Sequence, residues 1–373
     1  MNKTILIVGL VLALSAAALA RESTEIVGAR YLGMGGCFVT VANDRTLPFA
    51  NPAGLDRAGE RMITVMGIAS TVNSKTFDVL GFGLDRRKDF ENLDDMSDEE
   101  QDDFFDEIVN EINYKRMNVT LSTVPFGWIQ RPFGGALFTD SHAVAMAFEG
   151  ASGTPLVDAV GTQDFGGIVC YGGGLDGVPS ILPNRISLGA GLKYINRSIY
   201  SMRQTMTELA DGDAAELMNG STIGLDLGLL YDVTPGLRVG LAVYDAFASE
   251  IEWDGDASAS SRIQPGDKQK VEPSLRLGVT YDLPWDVQHV SSAIVAFDLA
   301  EPFDGDVTFF KKVHLGAEAS LFRSWFKARV GISQGYPSVG LGIWGFSYAY
   351  YAAEDGRHAG QVSDRRHVIS FGL

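Results

Sequence analysis

The chain has 373 residues, 46% hydrophobic and 21% charged, with 43 glycines, about 12% against a usual ~7%. Its formal net charge of −17 excludes the basic footprint that nucleic-acid binding requires. Two cysteines, Cys37 and Cys170, are too few for a disulfide framework, although one bridge between them is open to an oxidising compartment.

The N-terminus carries Lys3, an apolar run from Ile5 to Leu14 and then Ala18-Leu19-Ala20. This order predicts a cleaved secretory signal peptide over residues 1–20, with the mature chain starting near Arg21. No cysteine follows the cut, so a lipoprotein anchor is not expected. No later segment holds the ~18 unbroken apolar residues of a membrane helix. A secreted chain of this kind is either soluble or crosses as a closed barrel, the other way lipid allows the backbone to be satisfied.

Residues 21–60 read as a unit of their own, a plug or hatch held inside something larger. Gly28, Gly33, Gly35, Gly36 and Gly54 let its backbone turn tightly and lie close to a wall. Asn51-Pro52-Ala53-Gly54 predicts a turn, with Pro52 fixing φ and Asn51 bonding to nearby backbone. Three blocks occur in order: Gly28-Ala29-Arg30-x-x-Gly33-Met34-Gly35-Gly36, Ala42-Asn43-Asp44, and Asn51-Pro52-Ala53-Gly54-Leu55. Together they resemble the N-terminal hatch of the FadL/PorV-type outer-membrane proteins. That superfamily contains long-chain fatty-acid transporters and a shuttle component of a bacterial secretion system. Its usual Ala-Asp-Asp is Ala42-Asn43-Asp44 here. The resemblance implies a transmembrane antiparallel β-barrel of about fourteen strands over residues 61–373. It also implies a hatching or gating role for Gly28, Ala29, Arg30, Gly33, Met34, Gly35, Gly36, Asn43, Asp44, Asn51, Pro52, Ala53 and Gly54.

The residues support the barrel independently. In Ser221–Asp232, Ile223, Leu225, Leu227, Leu229 and Tyr231 alternate with Gly224, Asp226, Gly228 and Asp232. Ser274–Asp282 and Val313–Phe322 alternate in the same way, and 366–373 ends with Ile369 and Phe371 opposite Ser370 and Gly372. Weaker alternation marks Val144–Phe148, Ile186–Tyr194, Leu237–Val243, Ala293–Leu299, Phe326–Ile332 and Val339–Ile343. Each run spans about ten residues or fewer, the length of a membrane strand. Tyr194, Tyr231, Tyr281, Trp285 and Trp344, near strand ends, suit interfacial girdles. A soluble sandwich alternates too, with its apolar face inward, so the pattern alone leaves that fold open. In a barrel, Lys193, Asp226, Arg238, Arg276, Glu318, Lys327 and Arg329 face the lumen as a charge network, with Arg30 and Asp44 as hatch partners.

One segment departs from the strand rhythm. Ser97-Asp98-Glu99-Glu100 is a capping box, and Phe104, Phe105, Ile108, Val109 and Ile112 follow at helical spacing, predicting an amphipathic insertion over about 94–114. Residues 205–220 and 250–270 read as polar external loops. Chemistry-bearing motifs are sparse. Gly331-Ile332-Ser333-Gln334-Gly335 matches a hydrolase elbow but precedes another strand instead of a helix. Gly33-Met34-Gly35-Gly36 lacks the third glycine of a dinucleotide loop. The five histidines have no metal spacing, and Asp211-Gly212-Asp213 and Asp254-Gly255-Asp256 lack a full calcium ligand series. No cofactor, metal or enzymatic activity is expected.

Two functions share the hatch. The first is passive uptake of hydrophobic small molecules, such as long-chain fatty acids, through the bacterial outer membrane, with glycines 33–36 as the hinge of a moving hatch. The second is a closed barrel that shuttles or anchors secreted proteins. A continuous apolar cavity favours the first, and a lumen filled with paired charges favours the second. Expected partners are outer-membrane lipid, a hydrophobic small-molecule ligand, the outer-membrane insertion machinery and, on the second reading, a secreted protein.

Overall fold

Alternation along the chain becomes one antiparallel sheet that closes on itself. A computed structural model describes residues 28–372 except 60, 93–95, 98–99, 101–102, 105–106, 108–109, 112–114, 150–154, 176–184, 206–215, 257–262, 285–287, 355, 357 and 359. The predicted signal peptide, Trp285 and the Asp211-Gly212-Asp213 loop lie outside the described residues.

The barrel strands are β1 Gly67–Asn73, β2 Met117–Gln130, β3 Phe133–Glu149, β4 Pro155–Gly174, β5 Ile186–Thr205, β6 Glu216–Thr234 and β7 Leu237–Ala248. They continue as β8 Ser274–Leu283, β9 Val290–Ala300, β10 Val313–Leu321, β11 Phe326–Ser333, β12 Tyr336–Ile343, β13 Phe346–Glu354 and β14 Ser363–Gly372. Each strand pairs with the next, and β14 closes on β1 with Ser370 opposite Ala69, making a 14-strand barrel. Closure leaves no exposed sheet edge, which is the condition for a sheet to survive in lipid.

The faces decide between barrel and sandwich. Leu121, Phe165, Val169, Leu192, Ile223, Val330, Val339 and Ile369 are exposed on the outer face. Lys193, Arg197, Asp226, Arg276, Asp298, Glu318 and Arg329 are buried on the inner one. A water-soluble sandwich requires the reverse. This is a membrane-spanning barrel of the outer-membrane type. Short turns and the C-terminus share one end with Trp325, Trp344, Phe322, Phe346 and Phe371, all exposed or half-buried, as an interfacial aromatic girdle requires. Trp325 and Trp344 stand 5.4 Å apart, Phe346 and Phe371 4.4 Å apart. Longer loops share the opposite end, as on the external side of such barrels.

Three expectations are corrected. Strands β3 to β6 run 17 to 20 residues, far beyond the alternating runs legible in sequence, so one side of the barrel rises well above the membrane. The helical insertion starts some twenty residues earlier than expected, with α3 Ser74–Asp85 and α4 Arg87–Glu91 (α1 and α2 lie in the hatch, below). The predicted capping box is present, Ser97 N and Oγ donating to Glu100 Oε2 at 2.9 and 2.8 Å. Glu100, Asp103, Phe104, Glu107, Asn110 and Glu111 are helical, while Phe105, Ile108, Val109 and Ile112 lie outside the described residues. Finally, residues 250–270 are not merely polar loop. Ile251 and Trp253 are fully buried against Ile199, Met218 and Val271, and Asp254–Asp256 pairs with Leu217–Asn219, continuing the sheet above the end of β7.

Candidate functional site

Residues 28–59 lie inside the barrel, on its short-turn half, held by apolar contact, close backbone approach and charge. The hatch is built of α1 Ala29–Gly33, α2 Leu47–Ala50 and a 3-10 turn, Pro52–Arg57. Ala29 packs on Ala349, Tyr351 and Val368, and Tyr31 and Phe38 pack on Ala242 and Tyr244. Leu47, Phe49 and Leu55 meet Ile129, Phe138, Ile168 and Ile195. The lower inner wall is therefore apolar as well as glycine-rich and ionic.

Wall glycines mark the hatch's path. Gly172, Gly189 and Gly228 are successive cross-strand partners, as are Gly240 with Gly278 and Gly316 with Gly331. A Cβ on Gly189 would come within 2.7 Å of Ala53 Cα, on Gly278 within 2.8 Å of Val39 Cβ, and on Gly316 within 2.8 Å of the Met34 carbonyl carbon. Real Cβ atoms do not approach so closely, so each of these positions admits the hatch only as glycine. The same holds from the other side: Gly33 abuts Gly340, and Gly35 and Gly36 adopt φ of +67° and +85° against Ile332 and His314. In this docked state these glycines serve close approach and left-handed backbone.

Arg30 joins hatch to wall. Its Nε and Nη2 donate to Glu318 at 3.0 and 2.8 Å, and its Nη1 donates to Asn43 Oδ1 at 2.6 Å and Asp44 Oδ2 at 3.1 Å. Asp44 Oδ1 also accepts from Tyr31 Oη at 2.8 Å and Thr46 N at 3.0 Å. Burial pushes the Asp44 carboxyl up, but Arg30 and the Thr46 and Tyr31 donors outweigh it and hold it at about 2. The clamp is thus ionised throughout the physiological pH range. Asp44 bonds within the hatch, whereas Arg30 alone of the two reaches the wall. Asn51 caps the 3-10 turn, accepting from Ala53 N at 3.1 Å and donating to Val39 O at 3.1 Å, while Pro52 occupies its first turn and Gly54 packs on Leu47. Asp56 and Arg57, not singled out in sequence, add ties: Asp56 accepts from Arg185 at 2.9 Å and Ser187 at 2.7 Å, and Arg57 pairs with Asp232.

The inward charges pair among themselves. Lys193 Nζ lies 2.8 Å from Asp226 and 2.9 Å from Asp245, all three buried. A bulge in β7, with Asp245 at φ +49°, turns that carboxylate inward. Arg329 shares Glu318 with Arg30, at 2.7 Å. Arg276 sits 3.4 Å from Asp298, donates to Gly36 O at 2.7 Å and stacks 4.1 Å over Phe38. Arg238 pairs with Asp232 at 3.1 Å, and Lys327 is half-buried beneath the hatch. Arg197–Asp164 at 2.7 Å and the acids Asp245 and Asp298 were missed, although Asp164 and Asp298 occupy inward positions of their alternating strands. Lys193→Met leaves two buried carboxylates facing each other without their cation. It is expected to destabilise the barrel by about 3–5 kcal/mol. Urea unfolding in detergent micelles checks this, with Asp226→Asn and Asp245→Asn added to Lys193→Met recovering most of the loss.

Two cavities flank the hatch. The outer one, about 550 Å³, is lined by Leu32, Gly36 and Phe38 of the hatch and by wall groups including Ala69, Asn118, His142 and Tyr351. The inner one, about 200 Å³, is lined by Gly28, Arg30, Tyr31 and Asp44 with Trp325 and Lys327. The hatch segment 28–36 contributes to both and forms the partition between them. Ser333, of the elbow motif, lies 3.3 Å from His314 Nδ1. That nitrogen is 2.7 Å from the Gly35 carbonyl, which only accepts, so it carries the proton and cannot act as base for Ser333. Cys37 and Cys170 are both buried and unbridged, 37 against Ala296 O and 170 against Pro48 O. Among the described residues no group of three His, Cys, Asp or Glu side chains is placed to hold a metal.

No family model and no curated protein sequence matches the chain. Among solved structures it is similar to the Pseudomonas putida toluene transporter TodX, at 12% identity and TM-score 0.49, over 94% of this chain and 98% of that one. It is similar to the Ralstonia pickettii toluene transporter TbuX, at 11% identity and TM-score 0.47, over 93% of this chain and 98% of that one. It is also similar to the CymD monoaromatic hydrocarbon channel, at 15% identity and TM-score 0.45, over 93% and 96% of the two chains. In architecture the chain is a closed 14-strand antiparallel β-barrel with residues 28–59 in its lumen.

Proposed function

We propose that the protein is a passive outer-membrane channel for small hydrophobic or amphipathic molecules, closed at rest by its hatch. The observation that carries this reading is the pair of cavities separated by residues 28–36. A solute entering from the loop end meets the outer cavity, whose floor is the Leu32 and Phe38 side of the hatch. Its volume of about 550 Å³ is in the ordinary range for small-molecule pockets. Its lining is mixed, with Arg116, Arg276, Arg366, Lys311 and Lys312 beside the acids Glu301 and Asp304 and the apolar Leu32, Phe38 and Ala69, which favours a compact solute with a polar end over a long unbroken alkyl chain. Passage requires the α1 segment to shift, and no bond is made or broken, so flow follows the concentration gradient.

One observation supports the shuttle alternative. Beyond the hatch, the lumen holds buried ion pairs around Lys193, Arg197 and Glu318, as in a barrel built to stay shut. Uptake separates the two. Proteoliposomes holding the wild-type protein are expected to admit labelled benzoate and toluene faster than empty vesicles. Thr120→Trp, which fills the outer cavity from the wall, should abolish the difference. Equal entry with and without the protein, together with recovery of a secreted protein bound to it, would reject the channel in favour of the shuttle.

A further inference from the structure

Helix α3, Ser74–Asp85, leaves the barrel in an unusual place. Strand β1 has 7 residues, fewer than the roughly nine to eleven a membrane strand needs. Its end, Asn73, becomes the helix cap, accepting from Thr76 N at 3.0 Å. Ile68 pairs with Phe371 at the level of the aromatic girdle, so five residues, about 17 Å along the strand, separate that girdle from the helix start. The apolar band of such barrels is about 25 Å tall. On the taller neighbours the outward-facing pair Ser141 and Gln163 already ends the apolar belt of Leu137 and Phe165, so the helix starts at the band's outer edge.

It lies on the outside of the wall. Val79 packs against Met117, Ala145 and Ala159, and Phe77 stacks edge-on at 5.4 Å on His367. Ala145 shares its face with the exposed Leu137, opposite the cavity-lining His142, and His367 shares its face with the exposed Ile369, opposite the cavity-lining Arg366. Helical spacing sets two groups of side chains apart, with Lys75 and the half-buried Phe82 lying between the second group and Val79. Phe77, Leu80 and Leu84 form one, with Phe77 50% and Leu84 73% exposed. Asp78 and Asp85 form the other, both exposed. Arg86, just past the helix end, reaches Asp89 at 3.2 Å and also Glu107 of the acidic second helix, which ties that helix to this one.

We propose that α3 is an arm lying along the outer membrane–water boundary, its Phe77/Leu80/Leu84 flank dipping among lipid acyl chains and its Asp78/Asp85 flank at the water boundary. The occupant is lipid because the apolar flank is continuous with the lipid-facing belt of Leu121 and Ile369 and starts at the outer edge of that belt.

Nitroxide labels test the arm in the full chain reconstituted in phosphatidylethanolamine–phosphatidylglycerol vesicles. The native cysteines are buried, so the labels go to Leu84→Cys, Asp78→Cys and, as a belt control, Val339→Cys. Position 84 is expected to behave like position 339, relaxed more by dissolved oxygen than by a water-soluble nickel chelate, with the ratio inverted at position 78. A label at 84 that the chelate reaches as readily as at 78 overturns the arm. One shielded from both reagents means that protein covers the flank, and overturns it too.

Discussion

Substituting Gly331 with alanine is expected to loosen the hatch while leaving the barrel intact. The new Cβ would stand 2.5 Å from the Met34 carbonyl carbon and 2.7 Å from Gly35 Cα, so something must move. Strand β11 cannot, because it is laddered to β10 over eight registered pairs and to β12 over eight more. The hatch can, because segment 33–36 is outside the ladder and held there by contacts such as Gly35 N to Ser338 Oγ at 3.0 Å. Overpacking of this kind costs about 1–3 kcal/mol, which as a shift between docked and undocked hatch is roughly a 5- to 150-fold change. Conductance in planar bilayers should rise, and the hatch should become cleavable by a protease added from the turn side. Heat-modifiable mobility on gels should stay as in the wild type, since it reports the barrel. Gly305→Ala, with nothing within 4 Å of its Cβ, is the matched control. Unchanged conductance and cleavage in Gly331→Ala would mean that the close fit does not hold the hatch.

Which features could be read from residues alone follows from how far each is determined locally. The inside and outside of β6, β8 and β10 were legible because strand side chains alternate and both environments are extreme, hydrocarbon on one side and ions on the other. The capping box at Ser97 was legible because its partners are three residues apart. The upper halves of β3 to β6 were not, because above the membrane the outer face no longer needs aliphatic residues and the period fades. Helix α3 was not legible because Phe77 and Val79 are β-prone and Gly81 and Gly83 are helix-poor; its packing on the wall overrides that propensity. Wall glycines such as Gly316 and Gly331 were visible as an excess, but their purpose depends on the backbone of residues three hundred positions away. Arg30 was named as a partner of the wall, and its partner Glu318 was named as an inward charge. Their pairing required the register that brings β10 to α1.

Arg30→Ala should release the same segment by a different route. Arg30 supplies the cation that Asp44 faces and half of the charge around Glu318, whose side chain is 6% exposed. Removing it leaves Glu318 with Arg329 alone and Asp44 with hydroxyl and amide donors alone. Truncating one member of a buried, hydrogen-bonded pair costs about 2–5 kcal/mol, most of it the penalty for the charge left behind. Arg30→Lys keeps the charge but loses the two parallel bonds to Glu318, so its conductance should fall between wild type and alanine. Glu318→Ala on the Arg30→Ala background tests the pair itself. If the two groups act through each other, the double change adds little to the first, because the orphaned carboxylate is gone. Full additivity would place the effect of Arg30 in its Asn43 and Asp44 bonds within the hatch, and the wall contact would then be incidental to closure. The Gly331 and Arg30 changes also act on one element, so combining them separates two models of the gate. A hatch that moves as one body saturates after either change, whereas a hatch that peels from the wall piece by piece opens further with each.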